Sequence, residues 1–168
     1  YPRHDIEIET EQDRLLEHDV IVFQFPLFWY STPSLLKDWI DLVLEHGFAY
    51  GEGGEALKGK ALLCAITTSS PEDAYSSEGF QHYPLRTFLT PLEQTARLCQ
   101  MRFLPPYVLY EALKAAEDER LQVHEDGYKR LLIGLREGHY DYERAREVHI
   151  LQAGTLDAVL NDGETGHG

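Results

Sequence analysis

Two short apolar runs dominate the hydropathy pattern of the chain and predict buried strands. They are Asp19–Phe25 (DVIVFQF) and Ala61–Thr67 (ALLCAIT), and the first is rich in β-branched residues. Strands of a parallel sheet covered on both faces have this pattern, because neither face meets water. Two shorter segments, Gln100–Phe103 and Tyr107–Tyr110, are further strand candidates.

Between these runs the apolar residues recur with helical period. The clearest helix is predicted over Pro33–Leu44, where one apolar stripe contains Leu35, Leu36, Trp39, Ile40, Val43 and Leu44. Three more helices are predicted, from a cap at Thr10 to about His18, over Leu85–Leu98 and over Ala115–Arg136. The alternation of strands and helices predicts an α/β fold with a parallel sheet.

The polar segments predict loops and a domain limit. Ala49–Lys60 is glycine-rich and is expected to be a mobile loop, since a phosphate-binding loop is followed by a helix and here a strand follows. Glu72–Tyr83 is a long loop over a strand end, where specificity is often carried. The chain turns polar at Gly138. Residues 1–137 are therefore predicted as one domain and residues 138–168 as a polar C-terminal extension, ending in a loose tail over Asn161–Gly168.

Composition narrows the functional classes. The 168 residues suffice for one domain with a sizeable core, and the formal net charge of −14 argues against non-specific binding to nucleic acid or anionic lipid. Cys64 and Cys99 lie in apolar surroundings and are predicted to be buried reduced thiols, which suits the cytosol. No membrane-length apolar run or signal peptide is visible. Because the chain begins at Tyr1 rather than Met, it is interpreted as part of a longer protein.

Candidate chemistry lies directly after the two predicted strands. The first is followed by FPLFWYS, residues 25–31, and the second by the polar turn Thr67–Pro71. In open α/β sheets ligands bind beyond the carboxyl ends of strands. A flavin needs aromatic walls, backbone amides towards its redox nitrogens and donors near its pyrimidine oxygens, and two such turns can supply them. The alternative is that the three aromatic rings of the first turn only pack under a helix.

The sequence resembles the flavodoxin-like NAD(P)H:quinone oxidoreductases over roughly Tyr1–Tyr110. The matching segments are EQDRLLEHDVIVFQFPLFWYSTPSLLKDWIDLVL, HGFAYGEGG, LKGK, ITTSSPEDAY and LPP, in that order. Within that family it most resembles the small ancillary proteins of the glutathione-gated potassium-efflux (Kef) antiporters. The resemblance implies a flavodoxin-like parallel sheet with helices on both faces. It also implies that the first β-α-β unit, about 30–40 residues, precedes Tyr1, so this chain alone is expected to expose strand edges and to bind flavin poorly.

The resemblance also implies roles for individual residues. Lining of the flavin ring, with main-chain amides at its redox edge, falls to Leu27, Phe28, Trp29 and Tyr30. The turn near the flavin pyrimidine is made by Thr67, Thr68, Ser69 and Ser70. Serines replace the usual glycines at the last two positions. Because glycine permits positive φ and a close backbone approach, this change is expected to shift or weaken flavin contact.

Two catalytic residues are implied by the same resemblance. Tyr75 corresponds to a tyrosine that helps to bind the hydride donor and acceptor and shares in proton relay. His82 is close to the position of a family histidine, although Gln81 lies nearer to the expected place. No metal site is predicted.

The implied function is a cytoplasmic flavoprotein in which NAD(P)H passes a hydride to flavin N5 and a quinone receives two electrons. The cofactor is FMN, with FAD as the alternative, and the donor is NADPH or NADH. The implied partners are a quinone, the cytosolic domain of a Kef-type potassium/proton antiporter at the inner membrane, and a second copy of the chain. The segment Pro33–Leu44 with Trp39, and the loop Gly47–Tyr50, are candidates for that homodimer, and core packing of Trp39 is the equal alternative.

Two other functions stay open from the sequence. One is a non-catalytic regulatory subunit of the antiporter, which the change to Ser69 and Ser70 favours. The other is a flavodoxin-like electron carrier. The loop that carries Tyr75 argues against a carrier, because a carrier needs an exposed flavin edge and no loop that covers substrate.

Overall fold

The computed structural model describes residues 5–161, and their centre is a parallel β-sheet. Its strands are β1 (Val20–Pro26), β2 (Ala61–Thr67), β3 (Arg102–Phe103) and β4 (Tyr107–Leu109). β1 pairs in parallel with β2 along its whole length, while β3 and β4 pair with the other edge of β2. The prediction of a parallel α/β sheet is therefore confirmed.

The apolar run of β2 is explained by burial on both faces. Leu62, Cys64 and Ile66 point into one core, and Ala61 and Leu63 point into a second core on the opposite face. Alternate side chains of a strand face opposite sides of the sheet, so a strand covered on both sides needs apolar residues at every position.

Helices cover both faces, as the sequence predicted. The first core is closed by α1 (Ile8–Glu17), α2 (Ser34–Val43) and α3 (Thr90–Leu98). The second core is closed by α5 (Arg120–Glu137), which follows the short α4 (Ala112–Ala115). Short 3-10 helices occupy Glu72–Ala74, Leu85–Leu89, Arg144–Glu147 and Ala153–Ala158.

Several helix ends differ from the sequence predictions. α1 is capped by Glu7 without a side-chain bond, so the predicted cap Thr10 lies inside the helix. The predicted helix over Leu85–Leu98 is a 3-10 turn followed by α3, and Pro91 stands in the first turn of α3, where its missing N–H costs nothing. The predicted helix over Ala115–Arg136 is divided between α4 and α5.

The glycine-rich loop expected to be mobile is packed. Ala49 and Leu57 are fully buried in the first core. A Cβ on Gly54 would overlap the backbone of Tyr50, so the loop needs glycine there because the chain folds back on itself closely. The glycines thus permit compact turns in this segment.

Trp39 also packs inside the chain. Its indole N–H donates to the Glu11 carboxylate at 2.8 Å, and its ring meets Phe23 edge to face with centroids 5.5 Å apart. The core-packing alternative therefore describes this residue, and the outer edge of β1 beside it is unpaired within residues 5–161. A cavity of about 420 Å³ lies along that edge, between β1 and α2.

The described part of the C-terminal segment contributes apolar side chains to the second core. Leu151, Leu156 and Val159 are completely or almost completely buried in the second core. The amide of Leu151 donates to the Pro106 carbonyl at 2.8 Å, so the segment also continues the hydrogen bonding beside β4. Residues 138–161 therefore complete one face of the sheet. The predicted division at residue 137 stays a prediction, and the predicted tail lies, after Asn161, outside the described residues.

Two further observations concern the cysteines and the helices. Cys64 and Cys99 are buried free thiols, and burial raises the pKa of Cys64 to about 12. Over the part of the chain that the structure describes, no helix is both long and apolar enough to cross a membrane.

Candidate functional site

The two turns singled out in the sequence lie side by side at the carboxyl ends of β1 and β2. β1 and β2 are in parallel register, so that their last residues, Pro26 and Thr67, are partners. The pairing continues into the turns, since the amide of Leu27 donates to the Thr67 carbonyl at 2.9 Å. The structure therefore places both turns at neighbouring carboxyl ends, where α/β sheets bind ligands.

The first turn, residues 28–31, is a tight reversal with a left-handed backbone. Phe28 and Ser31 exchange two backbone hydrogen bonds, of 3.1 and 2.9 Å, and Trp29 and Tyr30 have φ values of 47° and 62°. This is the pattern of a type I′ turn, which glycine and asparagine usually occupy. The amides of the two central residues take no part in the bonds that close the turn. The turn therefore offers two N–H donors at the edge of the sheet.

The aromatic rings of the first turn do not pack under a helix. The Trp29 side chain is 93% exposed and Phe28 is also exposed. Tyr30 is half-exposed and contacts Phe88, with ring centroids 5.1 Å apart. The alternative weighed in the sequence analysis is thus wrong for Trp29 and Phe28, whose rings are free to contact a flat ligand.

The second turn, residues 67–70, is held in place by hydrogen bonds of its buried threonine. Thr68 is only 3% exposed, its amide donates to the Leu109 carbonyl at 2.9 Å, and its Oγ1 donates to the Ser70 carbonyl at 2.9 Å. Neither Ser69 nor Ser70 adopts a positive φ. The turn therefore does not use the positive φ that glycine would permit at these positions, and the expectation that the serines shift or weaken flavin contact stays a prediction.

Tyr75 lies in an aromatic cluster between the two turns. Its ring is half-buried and contacts Phe88 and Tyr110, with centroids 6.2 and 5.8 Å apart. Phe88 also touches Tyr30, so the cluster connects the first turn to the Tyr75 loop. Burial raises the pKa of Tyr110, as do the nearby Glu72 carboxylate and Tyr75. Tyr110 therefore keeps its proton under all ordinary conditions.

The structure separates the two candidates for the histidine position. His82 is exposed and has a φ of 61°. Gln81 instead faces the second turn, where its Nε2 donates to Ser70 Oγ at 2.8 Å. The sequence had already placed Gln81 nearer than His82 to the family histidine position, whereas sequence reasoning did not assign Phe88 and Tyr110 to the site. The one available signal was the position of Tyr110, directly after β4.

The turns leave an open surface. The cavity between the first turn and α3 is about 80 Å³ and is lined partly by Phe25, Ser31 and Phe88. It is too small for a three-ring heterocycle, since pockets for such ligands measure about 300 Å³ or more. A flavin ring would have to lie on the solvent side of the turns. The exposed rings of Phe28 and Trp29 lie there, so the residues present fit a planar ligand.

Comparisons with known proteins agree with this architecture. A sequence model of the flavodoxin-like fold (Flavodoxin_2) matches residues 1–132. The glutathione-regulated potassium-efflux system ancillary protein KefG of Cronobacter sakazakii is 48% identical over 132 residues, which are 79% of this chain and 71% of that protein. The chain therefore belongs to the flavodoxin-like fold family, which confirms the resemblance stated from the sequence.

Two solved structures share the fold. General stress protein 14 of Treponema denticola, solved in complex with FMN, is 37% identical with a TM-score of 0.64, covering 66% of this chain and 63% of that one. A P. pentosaceus protein named as an NADPH-quinone reductase is 32% identical with a TM-score of 0.65, covering 77% of this chain and 72% of that one. The matched region spans less than two thirds of the Treponema protein.

Proposed function

We propose that this chain belongs to a flavin-dependent NAD(P)H:quinone oxidoreductase. The observation that carries the proposal is the meeting of two turns at the carboxyl ends of β1 and β2, one with free amides and exposed aromatic rings. The similarity to an FMN-bound relative and to an NADPH-quinone reductase supports it. The FMN-bound relative favours FMN over FAD, and the relative named as an NADPH-quinone reductase favours NADPH over NADH.

The residues divide between holding the cofactor and holding the turns. Leu27, Phe28, Trp29 and Tyr30 would contact the ring and direct amides towards it, and Thr67, Ser69 and Ser70 would face its polar end. Thr68 would hold the turn and not contact the cofactor, since its amide and hydroxyl are already hydrogen-bonded within the chain. When bound, the flavin accepts a hydride from the nicotinamide and passes two electrons to the quinone.

The chain's own contribution to the reaction is proton donation and positioning. The Tyr75 hydroxyl, held beside Phe88 and Tyr110, would donate a hydrogen bond or a proton to the quinone oxygen. His82, exposed in the loop that carries Tyr75, would be a second donor. The low dielectric around the aromatic cluster strengthens a hydrogen bond made there.

The test uses the whole protein as the cell makes it, with any sequence that precedes Tyr1. It is purified, mixed with FMN, separated from free flavin and examined for the flavin absorbance bands. NADPH oxidation is then followed with menadione as acceptor. Retained FMN together with menadione-dependent oxidation supports the proposal. A protein that does not retain FMN after reconstitution contradicts it.

A second candidate function is supported by the relative from Cronobacter. Its name assigns it to a glutathione-regulated potassium-efflux system as an ancillary protein. We propose that this chain likewise acts with an antiporter of that kind, from the cytoplasmic side of the inner membrane, with or without quinone turnover. Potassium efflux would be compared in cells with the gene, without it, and with Tyr75→Phe. Efflux that is unchanged on deletion contradicts this role. Efflux retained by Tyr75→Phe alongside lost turnover assigns it to regulation.

We also propose a homodimer that covers the exposed rings beside the site. Tyr30 and Tyr83 both contact Phe88 and remain half-exposed or more, and Trp29 extends the same apolar surface. Monomers rarely expose contiguous apolar patches of this kind. Light scattering should give twice the monomer mass, and Tyr83→Ser should lower it. A monomeric mass at micromolar concentration contradicts the dimer.

A further inference from the structure

Residues 71–83 form a compact loop that carries Tyr75. The loop folds back on itself, because the amide of Gln81 donates to the Ala74 carbonyl at 2.9 Å and the amide of His82 donates to the Gly79 carbonyl at 2.9 Å. A Cβ on Gly79 would overlap the Ala74 carbonyl oxygen, so glycine is required where the two halves of the loop meet. The backbone next to Tyr75 is therefore tied to Gln81.

A side-chain hydrogen bond joins this loop to the second turn. Gln81 Nε2 donates to Ser70 Oγ at 2.8 Å, and both residues are partly buried. Ser70 is itself held in place, since its carbonyl accepts from Thr68 Oγ1 at 2.9 Å and from the Glu111 amide at 3.2 Å. Water competes poorly for a partly buried bond between two fixed groups, so this bond restrains the loop.

The second anchor of the loop is weaker. Gln152 Nε2 donates to the Glu72 carboxylate at 3.0 Å, but this pair is exposed to solvent. Water can replace either partner there, and an exposed bond therefore contributes less to order. The Gln81–Ser70 bond is the better candidate for setting the position of the loop.

We propose that Gln81 and Ser70 form a clamp that holds the Tyr75 loop against the second turn, with Gln81 as a positioning residue for Tyr75. The inference rests on the proposed function only where it assigns Tyr75 to the substrate. Serine at position 70 makes the clamp possible, because a glycine has no hydroxyl to accept from the glutamine. The hydroxyl that serine has and glycine lacks at position 70 would thus hold the Tyr75 loop.

The first test is hydrogen exchange of the peptide that covers residues 71–83, measured by mass spectrometry on the protein without flavin. Ser70→Ala and Gln81→Leu should each raise the exchange rate at the Ala74 and Gln81 end of the loop about threefold to tenfold, as expected for one lost hydrogen bond. The double variant should match the single ones. Ser70→Thr keeps the hydroxyl and should restore slow exchange. Gln122→Leu, an exposed glutamine on α5, is the matched control and should leave this peptide unchanged.

The second test asks whether the clamp acts through Tyr75. In the flavin-loaded protein, Gln81→Leu should lower kcat for menadione more than it changes KM, and it should have no further effect in a Tyr75→Phe background. Unchanged exchange in both single variants, additive effects in the double variant, or a Ser70→Thr variant that behaves like Ser70→Ala would overturn the clamp. Coupled exchange in a protein that does not bind FMN would support the clamp and contradict only the proposed function.

Discussion

The two turns at the site each follow a strand of the parallel sheet, but they differ in backbone conformation and in the exposure of their side chains. Residues 28–31 use a left-handed backbone at Trp29 and Tyr30, without a glycine, and expose their rings. Residues 67–70 use ordinary backbone conformations and bond their buried threonine internally. The first turn is therefore strained and presents donors, whereas the second is relaxed and provides a fixed platform.

The strain of the first turn has to be balanced by its surroundings. A left-handed conformation costs a residue other than glycine roughly 1–2 kcal/mol. The pairing of β1 with β2, extended by the Leu27–Thr67 hydrogen bond, holds the turn in that conformation. Residues kept in unfavourable conformations concentrate at functional sites, and here this feature distinguishes the turn that presents its amides from the turn that supports it.

The largest expected effect is loss of the buried hydroxyl in the second turn. Thr68→Ala removes the bond to the Ser70 carbonyl and a buried methyl group, and should lower the free energy of unfolding by about 2 kcal/mol. The neighbouring exposed Ser69 is the matched control, and Ser69→Ala should stay within about 0.5 kcal/mol of the parent. Urea denaturation measures both. Equal losses for the two variants would show that Thr68 does not hold this turn.

Next in size is the contribution of the exposed indole to flavin binding. Trp29→Ala leaves the backbone amides in place but removes a ring that can stack on the ligand. It should raise the Kd for FMN about fivefold to tenfold, measured by quenching of flavin fluorescence. Leu113→Ala removes another largely exposed apolar side chain, on α4, and should leave the Kd unchanged. Equal Kd values for the two variants would exclude ring stacking by Trp29.

Glycine substitution should change the free energy of unfolding in opposite directions in the two turns. Trp29→Gly relieves a positive φ without loss of packing, since the ring is exposed, and should raise the free energy of unfolding by up to about 1 kcal/mol. Ser69→Gly, in a turn with ordinary φ values, should lower it by about 0.5 kcal/mol because the unfolded chain gains freedom. Urea denaturation gives both values. The same sign for both variants would contradict the strained and relaxed assignments.

The smallest effect concerns pH, and it should come from outside both turns. Neither turn contains a histidine, an aspartate or a glutamate. His124 on α5 is half-buried against the Tyr107 ring, and burial lowers its pKa below the ordinary value of 6.5. Below that ordinary value the unfolded chain binds the proton more readily, so stability present above pH 6.5 is lost as pH falls. His124→Gln should make that decline shallower in denaturation series from pH 8 to pH 5. An unchanged slope would contradict the assignment.

Local patterns were sufficient for the sheet and most helices. β2 could be located from an apolar run because burial on both faces constrains each of its residues, and α2 from the spacing of its apolar stripe. The packing of residues 138–161 was missed for the converse reason. Leu151 forms an isolated β-bridge with Tyr107, Leu156 lies in a 3-10 helix and Val159 lies in a turn, and such short elements impose no regular spacing. Their burial depends on α5 and the sheet, which are distant in the sequence.

The amino-acid sequence by itself determined the strand–turn–helix order and brought two turns, one aromatic and one polar, to the ends of neighbouring strands. It did so because hydrophobic period and strand direction are local properties. Only the tertiary structure decided that the first turn is left-handed without glycine and that Gln81, rather than His82, reaches Ser70. Both depend on contacts between segments that are separate in the chain, the Leu27–Thr67 bond in one case and the folding back of the Tyr75 loop in the other.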